Sequence, residues 1–540
     1  MGDYEMGEQS KKSSAKKWMT GLLAAVMVMG LAGCGGNNKE NNTAATETGG
    51  FNKEGLPIVS EPVTLKILTV RWGSMGDTFT QNQWLKDLEK NTNVKIDWQV
   101  MSSNDWAEQK SIMLASGTLP DVVLGDQTFS DSDIVNNLSY FRPLDDYIDQ
   151  YMPNLKAAME ETPDMKKIST FPDGKIYSLA TRLPSRPKSS RQPVINKTWL
   201  DKLGLEVPDT LDDLYNVLKA FKEQDPNGNG KADEIPYIEV SNDLISPFGI
   251  TDLNTNNMLV KDGKAVYYPT SEAFKEGLKW ENKLYNEGLL DKELFTQDDT
   301  MRSAKFQSPD APVVGFSYQW TPDAVFGKWG DQYETIPPIA GPDGKRYTIG
   351  NPIGMNLARN ELLITSSCKT PEIAARWADQ FYTNEASIQN FWGAIGTVIQ
   401  KNDDGTYTLM DPPAGTSADA WYWDQSLRDF GPKYVSPSFE KNIVLSSESG
   451  DGLKLQLDKL GSEYVTTPFP NVMYTAEEFQ ELPTLTTDID TYVNTMRAQF
   501  ISKGGIDDGW DAYVKKLNDM GLEKLIKIRT EAYERYMSVK

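Results

Sequence analysis

The sequence predicts an α/β fold divided into two lobes, and three observations support this. Strand and helix patterns alternate between residues 63 and 125, which is typical of a parallel sheet with helices packed on its faces. A second region of this kind begins near Pro193. The stretch from about Val59 to Lys540 is also long for one domain and suits two.

The first region reads as three strands separated by two helices. Its strands are rich in β-branched side chains, and the first two alternate apolar with polar residues. In the first helix Trp84, Leu85 and Leu88 share one face, and Asp105 is placed to cap the second helix. The predicted elements are a strand at 63–70, a helix at 81–91, a strand at 94–100, a helix at 105–116 and a buried strand at 119–125.

The second region is marked by a helix start. Thr210 is a capping residue with Asp213 three residues further on, which predicts a helix to about Phe221. Further helices are predicted at 271–287, 371–382 and 512–537. Four tryptophans in periodic segments are assigned to the core, namely Trp84, Trp98, Trp199 and Trp377.

The N-terminal segment predicts export. Lys16 and Lys17 precede a short apolar stretch that ends on Leu-Ala-Gly-Cys34, the pattern of a cleavable secretory signal. The stretch is shorter than the roughly 20 apolar residues of a permanent membrane helix. We expect residues 1–33 to be a lipoprotein signal peptide, Cys34 to carry the lipid, and residues 34–58 to form a flexible tether. An ordinary signal peptide, or a short anchor helix with an incidental Cys, is the alternative.

Composition excludes several classes of function. The formal charge is −22, or about −23 without residues 1–33, whereas nucleic-acid binding calls for a basic patch. The chain has no histidine, which removes Ser-His-Asp catalysis, His-ligated zinc and kinase-type catalytic loops. With Cys34 taken by the lipid, Cys368 has no partner for a disulfide.

Residues 225–234, Asp-Pro-Asn-Gly-Asn-Gly-Lys-Ala-Asp-Glu, predict a structural calcium site. Calcium takes about six to eight oxygen ligands, which alternating Asp and Asn on a tight loop supply. Position 12 of an EF-hand is Pro236 here, so Glu234 would replace the bidentate acid. A polar Asn-Gly turn without metal is the alternative. The expected ligands are the side chains of Asp225, Asn227, Asn229, Asp233 and Glu234 and the carbonyl of Lys231.

Several segments together resemble a known family. They are residues 31–34, 82–89, 115–121, 199–210, the loop at 225–234, and 510–517. The chain is similar to family 1 extracellular solute-binding lipoproteins of carbohydrate ABC importers, and in particular to alginate-oligosaccharide- and aldouronate-binding proteins. The resemblance implies a periplasmic-binding-protein-like fold of type II, in which two α/β lobes enclose a ligand cleft. It also implies one structural Ca²⁺ in the loop.

The resemblance further implies approximate lobe boundaries. Lobe I would comprise residues 59–185 and 350–407, and lobe II residues 186–349 and 408–540. The chain would cross between the lobes near Thr181–Gln192 and near Arg346–Asn351, and again after about Tyr407.

An oligosaccharide presents apolar ring faces and hydroxyl edges, so its binding cleft needs aromatic rings and polar side chains. Trp72 follows the first predicted strand, where ligand crevices form in α/β proteins. The other candidates lie in loop-like sequence or before the first crossing, and core packing is the alternative for each of them. The candidate aromatic contacts are Trp72, Tyr177, Trp320, Trp392, Trp421 and Trp423.

Arg71, Arg182, Arg186 and Arg191 cluster around the first strand end and the first crossing. Arginine forks match carboxylates, so one interpretation is that Arg71, Arg182 and Arg191 contact an acidic sugar such as a uronate. The other interpretation is that these arginines are tied to local Asp or Glu.

The leading hypothesis is a binding protein and not an enzyme. It would be a monomeric lipoprotein, held to the cell membrane by its lipid, that captures an extracellular oligosaccharide by lobe closure and passes it to ABC permease subunits. A surface glycosidase is one alternative, although no carboxylate pair stands out for it. A carbohydrate sensor or adhesin on the same fold is another.

Overall fold

The computed structural model describes residues 50–72, 76–239, 241–413, 418–447 and 450–539. The predicted signal peptide and Cys34, the predicted lipid attachment site, lie outside the described residues.

The strands in chain order are β1 Val63–Arg71, β2 Val94–Ser102, β3 Val122–Leu124, β4 Ser178–Arg182, β5 Gln192–Asn196, β6 Ile235–Tyr237, β7 Met258–Lys261, β8 Lys264–Tyr267, β9 Val314–Gln319, β10 Tyr333–Thr335, β11 Leu357–Ile364, β12 Ile399–Lys401, β13 Tyr407–Leu409 and β14 Ile443–Val444.

Helices flank these strands over the whole described chain. They are α1 Gln83–Thr92, α2 Ser103–Ser116, α3 Asp131–Asn136, α4 Asp145–Tyr151, α5 Pro153–Glu161, α6 Pro163–Ser169, α7 Lys197–Leu203, α8 Leu211–Glu223, α9 Glu272–Asn286, α10 Asp299–Phe306, α11 Pro322–Phe326, α12 Pro371–Asp379, α13 Asn384–Trp392, α14 Ala418–Gln425, α15 Pro437–Glu440, α16 Gly450–Asp458, α17 Ala476–Lys503, α18 Ile506–Asp519 and α19 Leu522–Ser538.

The first sheet has the strand order β2-β1-β3-β11-β4. β1 pairs in parallel with β2 and β3, whereas β11 runs antiparallel to both β3 and β4. β4 therefore points the same way as β1 and β3. The three residues of β3 are fully buried, as expected for a central strand covered on both faces.

The second sheet has the order β10-β5-β9-β6. β6 and β9 are parallel, and β5 is antiparallel to β9 and to β10. A separate core lies under this sheet, built from side chains such as Trp199, Phe221 and Phe316 together with residues of α17, α18 and α19. The first sheet has its own core around Trp377, Phe381 and Leu362. Two sheets, each with its own helix-covered core, confirm the predicted two-lobed α/β fold.

Most local predictions are confirmed, and two need correction. Thr210 caps α8 and forms a reciprocal capping box with Asp213. The cap of α2 is Ser102, whose side chain accepts from Asn104 N–H, so the assignment to Asp105 was wrong. The predicted helix at 512–537 is two helices, because the backbone takes a φ of 97° at Gly521, which is incompatible with a continuous helix.

Residues 50–58 are not part of a flexible tether, which corrects the predicted tether of 34–58. Phe51 pairs with Val59, and its ring lies 5.6 Å from that of Tyr151. Arg376 donates to the carbonyls of Asn52 and Gly55. Ile58 is fully buried in the first core. A few apolar side chains in a polar stretch are enough to dock this segment.

The predicted boundary near Tyr407 is also not where the chain leaves the first sheet and its helices. Tyr407 and Thr408 of β13 pair with Ile443 and Val444 of β14. Tyr434, which lies between these two strands in the sequence, packs into the first core. Residues 408–444 therefore stay with the first lobe.

Among the described residues, no helix combines the length and the apolar character needed to cross a bilayer.

Candidate functional site

The first two of the three crossing segments join the same edge of the first sheet to the same edge of the second. The first crossing segment, residues 183–191, leaves the end of β4 and enters the start of β5. The second, residues 336–356, leaves the end of β10 and enters the start of β11. The two segments pair where Ser190 N–H donates to the Ile349 carbonyl at 2.9 Å. The strand directions place the carboxyl ends of β1, β3 and β4 at this junction, together with those of β6 and β9, where α/β folds bind ligands.

The first-sheet edge of the junction presents a group of aromatic rings. Trp72 follows β1 and is 46% exposed. Its ring lies 5.8 Å from that of Phe430, and the Trp423 ring lies 5.5 Å from the same phenylalanine. Trp421 is half-buried and packs beside Tyr422. Trp72 and Trp423 therefore form one aromatic surface over a buried phenylalanine, available for stacking on a sugar ring.

Arg71 supports this surface from beneath. It is 1% exposed, and its guanidinium lies 4.7 Å from the Phe79 ring and 5.5 Å from the Trp423 ring. It donates to the carbonyls of Ser426, at 3.2 Å, and of Trp423. Burial lowers the pKa of Arg71 to about 10, so it remains charged at neutral pH. The two terminal nitrogens of Arg71 serve the backbone that carries Trp423, whereas its Nε is buried without a partner, so a contact of Arg71 with an acidic ligand stays a prediction.

The other arginines are engaged by local acids, which was the alternative interpretation. Arg182 pairs with Glu440 at 3.1 Å, and Arg186 pairs with Asp429 and Asp451 at 3.1 and 3.2 Å. At the second-sheet edge Arg191 lies 3.3 Å from Glu239. Paired guanidinium groups have fewer donors left for a uronate.

The second-sheet edge carries one aromatic ring among polar groups. Trp320 follows β9 and is half-buried, with the ammonium of Lys454 at 4.7 Å from its ring. Glu239 follows β6 and accepts from Arg191 and from Gln319. Burial raises the pKa of Glu239, and Arg191 opposes that shift. Sequence reasoning missed Glu239, although it follows a strand of this sheet in the same way as Trp320.

Two predicted aromatic contacts belong to the core instead. Trp392 is fully buried between Phe391 and its neighbours in the cluster around β12 and β13. Tyr177 precedes β4, so it lies at the edge of the sheet opposite the junction, where it stacks edge-on against Phe171 and donates to Asp173 at 2.8 Å. Strand direction, which a single sequence segment does not reveal, decides the position of Tyr177. The core assignments of Trp84, Trp199 and Trp377 are confirmed, and Trp98 is half-buried against the first core.

A buried charged group under the aromatic surface was also missed. Lys433 is fully buried and donates to the carbonyls of Phe430 and Gly431 at 2.9 and 2.6 Å. Glu361 accepts from Gly431 N–H at 2.6 Å. Asp126, directly after β3, has its pKa raised to about 6 by burial and by Asp429, with Lys433 acting in the opposite direction. The position of Asp126 after a buried parallel strand was a signal that could have identified it.

The predicted calcium loop lies between α8 and β6. The Asp225 carboxylate accepts from the N–H groups of Gly228 and Gly230 at 3.0 and 3.1 Å. The Asn227 and Asn229 amides donate to Asp233. Within the described part of the chain no group of three or more His, Cys, Asp or Glu side chains is arranged to hold a metal ion. Glu234 Oε1 is nevertheless buried without a hydrogen-bond partner, and burial raises the pKa of this carboxyl. The donor set fits a cation that prefers oxygen.

Two α/β lobes joined by paired crossing segments, with aromatic and polar side chains at the junction, define a two-lobed ligand-binding protein. Residues 72–388 match the family described as bacterial extracellular solute-binding protein. The chain belongs to this family.

Individual relatives cover most of the chain. It is 34% identical over 544 residues to the fructooligosaccharide ABC transporter substrate-binding protein FusA of Streptococcus pneumoniae serotype 4 (strain ATCC BAA-334 / TIGR4), which covers 96% of this chain and 98% of FusA. Lipoprotein LipO of Bacillus subtilis (strain 168) is 30% identical over 305 residues, 54% of each chain.

Solved structures share the fold. FusA in complex with kestose superposes with a TM-score of 0.72 at 33% identity, over 88% of this chain and 100% of that one. The FusA EF-hand mutant in complex with fructo-nystose gives the same values. An HMO-binding, ABC-transporter-associated solute-binding protein from Bifidobacterium longum infantis ATCC 15697 has a TM-score of 0.77 at 29% identity, over 88% and 99%.

Proposed function

We propose that this protein is the substrate-binding component of a carbohydrate ABC importer and captures an extracellular oligosaccharide at the junction of its lobes. The observation that carries the proposal is the aromatic surface of Trp72 and Trp423 at one edge, with Trp320 at the other. Such rings suit the apolar faces of sugars. The similarity to FusA over nearly the full length supports a carbohydrate ligand.

We further propose that the sugar is neutral. Arg71 is bonded to carbonyls, and Arg182, Arg186 and Arg191 each lie within 3.3 Å of a local carboxylate. A uronate would have to displace one of these acids. Hydroxyl groups can instead exchange hydrogen bonds with both Arg191 and Glu239 without adding charge.

Binding without hydrolysis is the activity that this arrangement favours. A glycosidase needs two carboxyl groups placed on either side of the scissile bond. Here the carboxyl groups at the second-sheet edge are occupied by arginine, since Glu239 and Asp243 both pair with Arg191. We therefore propose a binding protein that releases its sugar chemically unchanged.

We propose that Cys34 anchors the protein to the outside of the cell membrane through lipid, with the ABC permease as its partner and the monomer as its working state. The Leu-Ala-Gly-Cys34 sequence and the similarity to a lipoprotein, LipO, support the anchor. Metabolic labelling with a radioactive fatty acid should label the wild-type chain, and the Cys34→Ser variant should remain unlabelled. Label in both chains would contradict the assignment.

We propose that the 225–234 loop binds a structural Ca²⁺ through Asp225, Asn227, Asn229, the Lys231 carbonyl, Asp233 and Glu234. The buried Glu234 Oε1, which has no hydrogen-bond partner, supports this calcium site. The solved structure of a FusA EF-hand mutant, which implies an EF-hand in that relative, supports it as well. The cation would act by fixing the loop between α8 and β6 and would supply no reactive water. Calcium should raise the thermal midpoint of the chelator-treated protein, and Asp233→Ala should abolish that rise. An equal rise in both proteins would contradict the site.

The test of the main proposal is a thermal-shift and calorimetry panel on a soluble chain that begins after Cys34. Neutral and uronic oligosaccharides of matched length are compared. A ligand at about 100 times its Kd should add about 2.7 kcal/mol of stability. A shift with neutral sugars alone, with the sugar recovered intact, is the expected result. A uronate-only shift would overturn the neutral-sugar proposal, and no shift with any sugar would overturn the carbohydrate proposal.

A further inference from the structure

Helix α16 contacts the first crossing segment through three charged side chains on one of its faces. Asp451, Lys454 and Asp458 are spaced three and four residues apart, which aligns them along the helix. Asp451 pairs with Arg186 at 3.2 Å. Asp458 accepts from the backbone N–H groups of Lys188 and Ser189 at 3.0 and 2.8 Å.

Lys454, in the middle of this face, has two kinds of contact. Its ammonium donates to the Ser190 carbonyl at 2.7 Å, at the end of the crossing segment, and to Gln192 Oε1 at 3.2 Å, at the start of β5. The same ammonium lies 4.7 Å from the centroid of the Trp320 ring. One side chain thus joins the start of β5, the crossing segment and the ring at the end of β9.

The burial of Lys454 is costly if it serves packing alone. The residue is fully buried, and burial lowers its pKa to about 8 although Asp458 raises it. An apolar side chain of similar length would fill this space without the cost of desolvating an ammonium group. The contacts that a lysine adds are the hydrogen bonds to Ser190 and Gln192 and the cation–π contact with Trp320.

We propose that Lys454 is a positioning residue for the ligand, because it holds the Trp320 indole in a fixed orientation against the first crossing segment. The inference rests on the proposed function, in which a sugar stacks on Trp320. Beyond that function, a single side chain would fix both the orientation of the Trp320 ring and the position of the first crossing segment. Ligand stacking and the crossing segment between the lobes are then mechanically connected through Lys454.

The test is a double-mutant cycle of Trp320→Ala and Lys454→Met, read as the Kd for the neutral oligosaccharide that the wild-type chain binds. We expect Lys454→Met to weaken binding about three- to thirtyfold, because the energies of cation–π contacts, from exposed to desolvated, set the scale of what fixing the Trp320 ring can contribute. If Lys454 acts through Trp320, the double variant should match Trp320→Ala to within about twofold. Losses that multiply in the double variant would overturn the proposal, as would unchanged binding by Lys454→Met.

Two further variants keep the test interpretable. Lys459→Met removes an exposed lysine just beyond the same helix and should bind like wild type. Lys454→Gln retains a hydrogen-bond donor but removes the charge next to the ring, and it replaces Lys454→Met in the cycle if the methionine variant does not fold. Absence of sugar binding by the wild-type chain would reject the proposed function itself. Normal wild-type binding with an additive cycle rejects only the role of Lys454.

Discussion

The two edges that meet at the junction differ in how their arginines are used. At the first-sheet edge Arg71 is almost fully buried and donates to the carbonyls of Trp423 and Ser426. At the second-sheet edge the side chain of Arg191 is 49% exposed and faces two carboxylates, Glu239 and Asp243. Arg71 therefore donates hydrogen bonds to the backbone, whereas Arg191 remains in contact with solvent.

The difference follows from burial. A buried guanidinium needs fixed acceptors for most of its donors, since unmet hydrogen bonds are costly away from water. Arg71 meets this need with its two terminal nitrogens, while its Nε is buried without a partner. A half-exposed guanidinium can accept water or a sugar hydroxyl as a further hydrogen-bond partner while it stays paired with its carboxylates. We infer that the first-sheet edge supplies a rigid aromatic surface and the second-sheet edge supplies the exchangeable polar contacts.

The largest expected effect is a difference in the free energy of unfolding between variants of the two arginines. Arg71→Met leaves buried carbonyls without a donor and should lower the free energy of unfolding by about 2–4 kcal/mol. Arg191→Met, the matched change at the other edge, removes a half-exposed cation from two buried carboxylates but leaves Arg302 at 3.7 Å from Glu239, and it should lower the free energy by less, about 1–2 kcal/mol. Urea unfolding of both variants at the same calcium concentration measures the difference. Equal losses would show that burial does not distinguish the two arginines.

The next effect concerns the aromatic surface. Trp72→Ala removes an exposed ring that contacts Phe430, and we expect binding to weaken about 10- to 100-fold with little change in the thermal midpoint. Phe295→Ala, which removes a similarly exposed ring (40% against 46%), is the control and should bind normally. Calorimetric titration of the sugar gives both values. A Trp72 variant with wild-type affinity would remove the first-sheet edge from the site.

A smaller effect is the contribution of Asp126, which lies under the aromatic surface, to the pH dependence of stability. The pKa of Asp126 is raised from its ordinary value of 3.8 to about 6, so the folded state holds this proton more tightly than the unfolded state. The stabilising contribution is complete below about pH 4 and is lost as the pH rises through about 6.

Asp126→Asn should remove that part of the slope and make the protein more stable at pH 7, by at most about 3 kcal/mol. Unfolding free energies measured from pH 4 to pH 8 for both chains test this. A variant that retains the wild-type slope would show that Asp126 is ionised normally in the fold.

The smallest effect is expected at the second-sheet edge. Arg191→Gln keeps a polar side chain but releases Glu239 and Asp243 from their shared cation. We expect the affinity for a neutral sugar to fall only about two- to fivefold, because the Arg191 side chain is half exposed and its donors already compete with water. The same calorimetric titration measures it. A loss above about 30-fold would make Arg191 the principal contact and reverse the division of roles between the edges.

Local chemistry allowed several features to be predicted from short stretches of sequence. The first strands, the Thr210 capping box and the core positions of Trp199 and Trp377 depend on periodicity and on neighbouring residues, so a window of about ten residues contains the information. The docking of Phe51 and Ile58 was not predicted, because their neighbours are polar and the surface they cover is contributed by Tyr151 and Arg376, far along the chain.

The candidate site was only partly predictable for the same reason. Trp72 was identified because it follows a predicted strand, and Trp320 because it lies in loop-like sequence. Tyr177 and Trp392 have similar sequence surroundings but lie at the opposite sheet edge and inside a core. Lys454 and Lys433 carry no local signal at all, since their acceptors are carbonyls that only the folded chain brings near.

By itself the sequence determined the α/β class, the export signal pattern, the absence of histidine chemistry and the oxygen-rich loop at 225–234, because each depends on residue type and spacing. Only the tertiary structure decided which arginines are buried, which remain partly exposed, and which rings face the junction. Those outcomes depend on strand direction and on burial, which bring together residues such as Arg71 and Ser426, or Lys454 and Ser190, from distant parts of the chain.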